Sequence, residues 1–185
     1  MKTTALARMP QRRTWAGVFV LALLAMPLLP AQAQSDANAS QGPDWLSFQE
    51  AVEKAEKSGK KVLIDIYAPW CGWCRKMQAE VYTVPELLAY VNAHFEIGRL
   101  NLDEHGDEIE FKGYTLNSSE LALGLGAEGT PTTVFLDHNG DYITRLPGYH
   151  GEEEFMQVLQ FIGTDAFREQ SYKEFIAQRK GSTQR

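Results

Sequence analysis

The feature that most constrains this 185-residue chain is an apolar run, Val62-Leu63-Ile64-Asp65-Ile66-Tyr67, that passes directly into Ala68-Pro69-Trp70-Cys71-Gly72-Trp73-Cys74-Arg75-Lys76. An apolar stretch of this length reads as a strand buried on both faces. The change to Gly72 and then to basic, helix-compatible residues predicts a helix whose first turn holds Cys71. There, unpaired backbone N–H groups and the positive end of the helix dipole favour an anion, and a thiolate is one. Cys74 falls on the same helix face three residues later, within reach of a small disulfide ring. The chain has no other cysteine, so any sulfur chemistry is confined to this segment.

Other uses of the pair are weaker. A zinc site would need two more ligands, and His94, His105, His138 and His150 show no H-x₃₋₅-H spacing. Covalent haem attachment needs His directly after the second cysteine, where Arg75 stands. A purely structural disulfide across so short a loop removes little unfolded-state entropy. Thiol–disulfide exchange is the reading that uses both sulfurs. A binding module with a permanently closed disulfide is the alternative from another class.

The segment Tyr67-Ala68-Pro69-Trp70-Cys71-Gly72-Trp73-Cys74-Arg75-Lys76-Met77 resembles the active-site segment of thioredoxin-fold proteins. Asp65 occupies the place of that family's buried acid, and Gly129-Thr130-Pro131-Thr132 resembles the segment bearing its cis-proline. Arg145-Leu146-Pro147-Gly148-Tyr149 and the helical tail resemble periplasmic thioredoxin-related proteins, including those associated with bacterial sulfur oxidation. The resemblance covers residues 45–175. It implies an α/β thioredoxin fold: a central mixed β-sheet of four or five strands flanked by helices, with an insertion before the cis-Pro loop and an extra C-terminal helix.

The same resemblance implies a periplasmic thiol–disulfide oxidoreductase that needs no cofactor. Cys71 is then the exposed nucleophile of lowered pKa and Cys74 the resolving thiol. Asp65 accepts the proton of Cys74 through a water, while Trp70, Trp73, Thr130 and Pro131 contact the substrate. Partners would be disulfide-containing exported proteins and a membrane thiol-electron transporter as donor. An oxidase that donates its disulfide is the alternative within the class.

From the residues alone, Asp65 is a carboxylate in an apolar strand, where desolvation raises its pKa; an edge position facing water is the other reading. Arg99 stands at a family position for a basic residue near the active site and is read as an exposed arginine.

The N-terminus reads as a secretory signal over 1–33: Lys2, Arg8, Arg12 and Arg13 form a basic region, an apolar stretch follows from Trp15 to Leu29, and Ala31-Gln32-Ala33 offers a cleavage site. A retained membrane anchor is the alternative, against which Pro27 and Pro30 interrupt a short apolar run. Its cleavage leaves no stable membrane insertion. Loss of those four basic residues deepens the net charge from −6 to −10, which excludes nucleic acid and anionic membrane surfaces as partners. Export also places the cysteines in an oxidising compartment, so a reductive role requires a supply of electrons.

Residues 34–43 read as a flexible leader, 44–179 as one domain and 180–185 as a loose tail. Asp44 is expected to cap a helix running to Ser58 and stopped by Gly59, with the first strand short or absent. Further helices are expected over 71–81 and 85–93, the second capped by Thr83 with Glu86. Phe95 to Leu102 reads as a strand. The insertion 104–117 shows strand-like alternation turning at Lys112-Gly113, and reads equally as a surface hairpin or a substrate-selecting flap. A short helix over 117–126 with Glu120 at a capping-box position precedes a hairpin of 132–136 and 142–146. Helices over 152–162 and 165–179 complete the pattern, with Phe167, Tyr172, Phe175 and Ile176 packing into the core.

Overall fold

Strand β1, Leu46–Ser47, lies parallel to β3, Phe95–Asn101, and is two residues long because Ser47 already caps the next helix. The structure, a computed structural model, describes residues 42–183. The expected signal segment 1–33, nearly all of the expected leader, Gln184 and Arg185 lie outside them.

Helix α1, Phe48–Ser58, begins with a capping box in which the Ser47 side chain accepts the Glu50 N–H and the Glu50 carboxylate accepts the Ser47 N–H. The cap is thus Ser47 and not Asp44, since only the former has its acidic partner three residues on. Gly59 closes the helix at φ 74, as expected of a left-handed stop.

Strands β2, Lys61–Tyr67, and β3 pair in parallel; β6, Thr132–Leu136, runs antiparallel to β2, and β7, Tyr142–Pro147, antiparallel to β6. The sheet order is β1-β3-β2-β6-β7, which puts the apolar run at the centre. One face carries Val62, Ile64, Ile66, Val134 and Leu136 against Phe48, Ala51 and Ala55 of α1 and Leu121 and Ala122 of α4, Ser118–Gly124. The other carries Leu63, Ile97 and Phe135 against Met77 of α2, Gly72–Glu80, Leu87 and Val91 of α3, Pro85–His94, and Phe155, Leu159 and Ile162 of α5, Glu152–Gly163. Asp65 lies two residues from Leu63 and therefore faces α2.

Gly98 sits where α1 crosses β3. A Cβ there would come within 2.9 Å of both Ala51 Cβ and Ile64 Cδ1 and 3.1 Å of the Ser47 carbonyl oxygen. Gly98→Ala is expected to cost roughly 1–3 kcal/mol, as overpacking does in a closed core, read as a lowered midpoint in urea unfolding.

Two helix boundaries differ from the sequence reading. Helix α3 is capped by Val84 without a side-chain bond, because the Thr83 hydroxyl instead bonds the Ala79 carbonyl at 2.8 Å. The last helix is broken: Asp165 adopts φ 62, a 3-10 turn spans Ala166–Arg168, and α6 covers Tyr172–Thr183, past the expected end at Arg179. Left-handed backbone at Asp165 cannot continue a right-handed helix. Its carboxylate bonds Lys61 Nζ and Arg168 Nε, both at 2.9 Å. The aromatic residues pack as expected, Phe161 lying 5.4 Å from Tyr172 and 5.3 Å from Phe175.

The insertion forms a hairpin of β4, Ile109–Phe111, and β5, Tyr114–Leu116. Phe111 meets Phe48 edge-on at 4.9 Å. Lys112 at the tip reaches Asn139 O at 3.1 Å and Asp141 Oδ1 at 2.8 Å. Thr132 lies beside Ile66 and Leu136 beside Val62, so that tip is tied to the end of the sheet remote from Cys71. Of the two uses weighed, the geometry is that of a surface hairpin on α1.

Candidate active site

Cys71 is the N-cap of α2, with extended backbone at φ −68 and ψ 106, and its sulfur accepts the Cys74 N–H at 3.0 Å. The N–H groups of the first helical turn have no partner within the helix, so this sulfur occupies the place of a cap oxygen. Cys71 and Cys74 form a disulfide with Cα atoms 5.3 Å apart. The expectation of an exposed Cys71 is corrected here: it is 3% exposed and Cys74 6%. Bonding to Cys74, whose side chain packs with Ala68 and Tyr67, draws the Cys71 sulfur inward with it.

Asp65 is 2% exposed, so the edge reading fails. The parallel register sets Asp65 beside Arg99 and the antiparallel one sets it beside Thr133. Arg99 Nε and Nη2 donate to Asp65 Oδ2 at 2.9 and 2.8 Å. Burial pushes the carboxyl above its usual range, and the Arg99 charge and hydrogen bonds hold it partly back. Arg99 is thus no free surface arginine. Its guanidinium lies 4.0 Å from the Tyr67 ring centre and 4.9 Å from that of Trp45, and a quarter of its side chain (24%) meets solvent. Tyr82 completes the cluster, fully buried, its hydroxyl pushed well above its usual range by burial and by the Asp65 charge. The Tyr82 and Thr133 hydroxyls are buried without a hydrogen bond of good geometry. Tyr67, one pleat beyond Asp65 on the same face, packs on the cysteines and so links the acid to the sulfurs.

The Thr130-Pro131 bond is cis. Since Thr132 pairs with Ile66, Pro131 lies at the end of the sheet from which β2 runs on toward Cys71, and its carbonyl accepts the Gly148 N–H at 2.8 Å. Trp70 and Trp73 flank the disulfide, 67% and 58% exposed. The Trp70 indole N–H bonds Asp103 Oδ2 at 2.6 Å, and Trp73 lies 5.4 Å from Tyr149. Lys76 Nζ sits 5.1 Å from the Trp73 ring centre and 4.9 Å from that of Tyr149. These contacts fix two exposed aromatics beside the sulfurs. Of the seven residues expected at the site, Trp70, Cys71, Trp73 and Cys74 lie at the start of α2, Thr130 and Pro131 just before β6, and Asp65 is buried within β2.

The thioredoxin-like domain family matches residues 48–163. The chain belongs to the thioredoxin-like family. It carries the Cys-x-x-Cys disulfide of a thioredoxin-like thiol–disulfide oxidoreductase. A protein disulfide-isomerase of Ricinus communis is 23% identical over 148 residues, 80% of this chain and 26% of that protein. The thiol:disulfide interchange protein DsbD of Ralstonia nicotianae is 27% identical over 146 residues, 72% of this chain and 22% of that one. The disulfide bond reductase DsbH of Chlamydia pneumoniae is 25% identical over 103 residues, 55% of this chain and 61% of that protein. The chain therefore spans about a quarter of the first two relatives and three fifths of the third. A thioredoxin-fold protein from Helicobacter pylori superposes with a TM-score of 0.54 at 26% identity, over 68% of this chain and 82% of that one. These thioredoxin-like relatives lend no support to the sulfur-oxidation subfamily.

Sequence reasoning missed the polar partners of this site. Arg99 had a usable signal, since a buried carboxylate calls for a cation on a neighbouring strand. Asp103 and Tyr149 had none, because their roles depend on where two loops meet α2. Among the described residues no helix is long and apolar enough to cross a membrane.

Proposed function

We propose that this protein is an exported thiol–disulfide reductase acting on disulfides of other exported proteins, with electrons supplied by a membrane thiol-electron transporter. The observation that carries the reading is the Cys71 sulfur at a helix N-cap with the Cys74 N–H pointed at it. A donor so placed favours the thiolate over the thiol. Relatives named as a disulfide bond reductase and as thiol:disulfide interchange proteins support the direction, and the segment 1–33 supports export.

In the reduced protein the Cys71 side chain is released from Cys74 and turns by rotation about χ1 toward the surface framed by Trp70, Trp73 and Pro131. Its thiolate attacks one sulfur of the substrate disulfide; the substrate S–S bond breaks and the other substrate sulfur leaves as a thiolate that takes a proton. Cys74, losing its proton to Asp65 through a water, then attacks the Cys71 sulfur. The mixed disulfide breaks, the second substrate thiol is released, and two protein thiols have become the Cys71–Cys74 disulfide while one substrate disulfide has become two thiols. Thr130 presents backbone groups beside Pro131 to an extended substrate segment, in the manner of strand addition.

The test is equilibration with glutathione buffers followed by thiol trapping. A reduction potential near the thioredoxin value of about −270 mV is expected, and one near about −120 mV, that of a strong oxidant, would make the protein a disulfide donor instead.

A further inference from the structure

Beside the cis-proline lies a cavity of about 230 Å³ lined by Gly126, Glu128, Thr130, Pro131, Arg145 and Pro147, among others. Arg145 projects from β7 at the position paired with Val134, and its guanidinium lies against Gly126, which has φ +85 and where a Cβ would overlap it. A backbone without a side chain is thus what admits the guanidinium to this place.

Several other cations of the fold hold carboxylates: Arg99 holds Asp65, Arg168 holds Asp137 and Asp165, Lys61 holds Asp165 and Lys112 holds Asp141. The Arg145 side chain makes no ion pair or hydrogen bond with any described residue, and Glu128, exposed on the same cavity, is not paired with it. Thr130 lines the cavity too, and its hydroxyl is buried beneath the surface without a hydrogen-bond partner. A charged donor at the surface and an unpartnered hydroxyl beneath it therefore belong to residues of one cavity, with Pro131 and Pro147 among its walls.

We propose that Arg145 is a specificity-determining residue that binds an acidic side chain lying within two residues of the reacting cysteine of the substrate polypeptide. The proposal rests on the reductase reading. A chain docked along Thr130 and Pro131 places side chains near the reacting sulfur at the cavity mouth, since neighbouring residues of an extended segment are about 3.3 Å apart along the strand. A carboxylate there accepts from the guanidinium, and from the Thr130 hydroxyl once that side chain rotates outward, while its methylene stem packs on Pro131 and Pro147. The overall negative charge of the chain repels acidic polypeptides at long range, so acceptance of an acid at this one place is a local choice made by Arg145. Glu128 opposes it by like-charge repulsion.

The experiment uses fluorogenic disulfide peptides that differ only by Glu or Gln at each of the two positions on either side of the cysteine. At one position the wild-type protein is expected to reduce the Glu peptide about tenfold faster in kcat/KM at low ionic strength, the return of a charge-assisted hydrogen bond at a partly exposed site. Arg145→Gln brings the Glu/Gln ratio to about one, Arg145→Lys keeps part of it, and Glu128→Gln raises it. An unchanged ratio in Arg145→Gln overturns the assignment. A wild-type protein that reduces all peptides without preference also overturns it while leaving the reductase reading intact; failure to reduce any peptide overturns both.

Discussion

Cys71→Ser is expected to lower disulfide reduction by about 10³-fold or more, whereas Cys74→Ser is expected to stop the reaction at a covalent complex. A hydroxyl is a far weaker nucleophile than a thiolate at neutral pH. The asymmetry follows from the geometry at the start of α2. Cys71 is the N-cap and accepts the Cys74 N–H at 3.0 Å, while Cys74 lies inside the helix as the donor of that bond. The stabilised anion is therefore at position 71, and the first attack belongs there. With Ser at 74 no internal thiol remains to resolve the mixed disulfide. Insulin reduction in dithiothreitol measures the rates, and mass spectrometry of Cys74→Ser after incubation with an oxidised substrate measures the trapped adduct. Equal rates in wild type, Cys71→Ser and Cys74→Ser would identify a binding module, because a thioredoxin-like groove with a closed disulfide needs neither sulfur as a nucleophile.

The fold was legible where one local rule had no competitor. The run Val62–Tyr67 became the central strand β2 because a short apolar run that ends in turn residues leaves no room for a helical period. Asn117 with Glu120 became a capping box because both halves of that motif are local in sequence. Failures came where two local signals competed or where the deciding partner was remote. Asp44 and Ser47 are both cap formers, and pairing of Leu46 and Ser47 with β3 decided between them. Thr83 had an acidic residue at the right spacing, but its hydroxyl was taken by the carbonyl of Ala79. Asp165 was read into a helix on periodicity, and its left-handed backbone is held by Lys61, 104 residues away in the chain. At the site, the cysteines, the acid and the cis-proline are properties of single segments. The Arg99 pairing and the Arg145 cavity arise from strand register and loop approach, which no single segment encodes.

Asp65→Asn is expected to make the protein more stable at neutral pH and slower at its work. Burial raises the Asp65 carboxyl above its unfolded value, so between the two pKa values the folded chain binds more protons than the unfolded chain. Linkage then requires stability to fall as pH rises through that window, because the unfolded state binds fewer protons there. The contribution of a neutral carboxyl is fully present below the unfolded value and is lost above the folded one. Above that window wild type carries the cost of a buried carboxylate that Arg99 offsets only in part. Asparagine keeps the shape without the charge, and the guanidinium it abandons still meets solvent and two aromatic rings. A net gain in stability is expected at neutral pH, because the penalty for leaving one member of a buried pair alone is lessened where the abandoned Arg99 charge keeps its contact with solvent. Urea unfolding should show the gap closing as pH falls below the usual carboxylate range. Catalysis moves the other way. Without a carboxylate, the Cys74 proton loses its acceptor, and resolution of the mixed disulfide slows by about 10²-fold, the low end of a general base contribution, while Cys71 alkylation by iodoacetamide changes far less. If Asp65→Asn instead proves less stable at every pH, the Arg99 pair outweighs desolvation and the carboxylate is a structural anchor. If it proves more stable with resolution unimpaired, the proton of Cys74 leaves by another route.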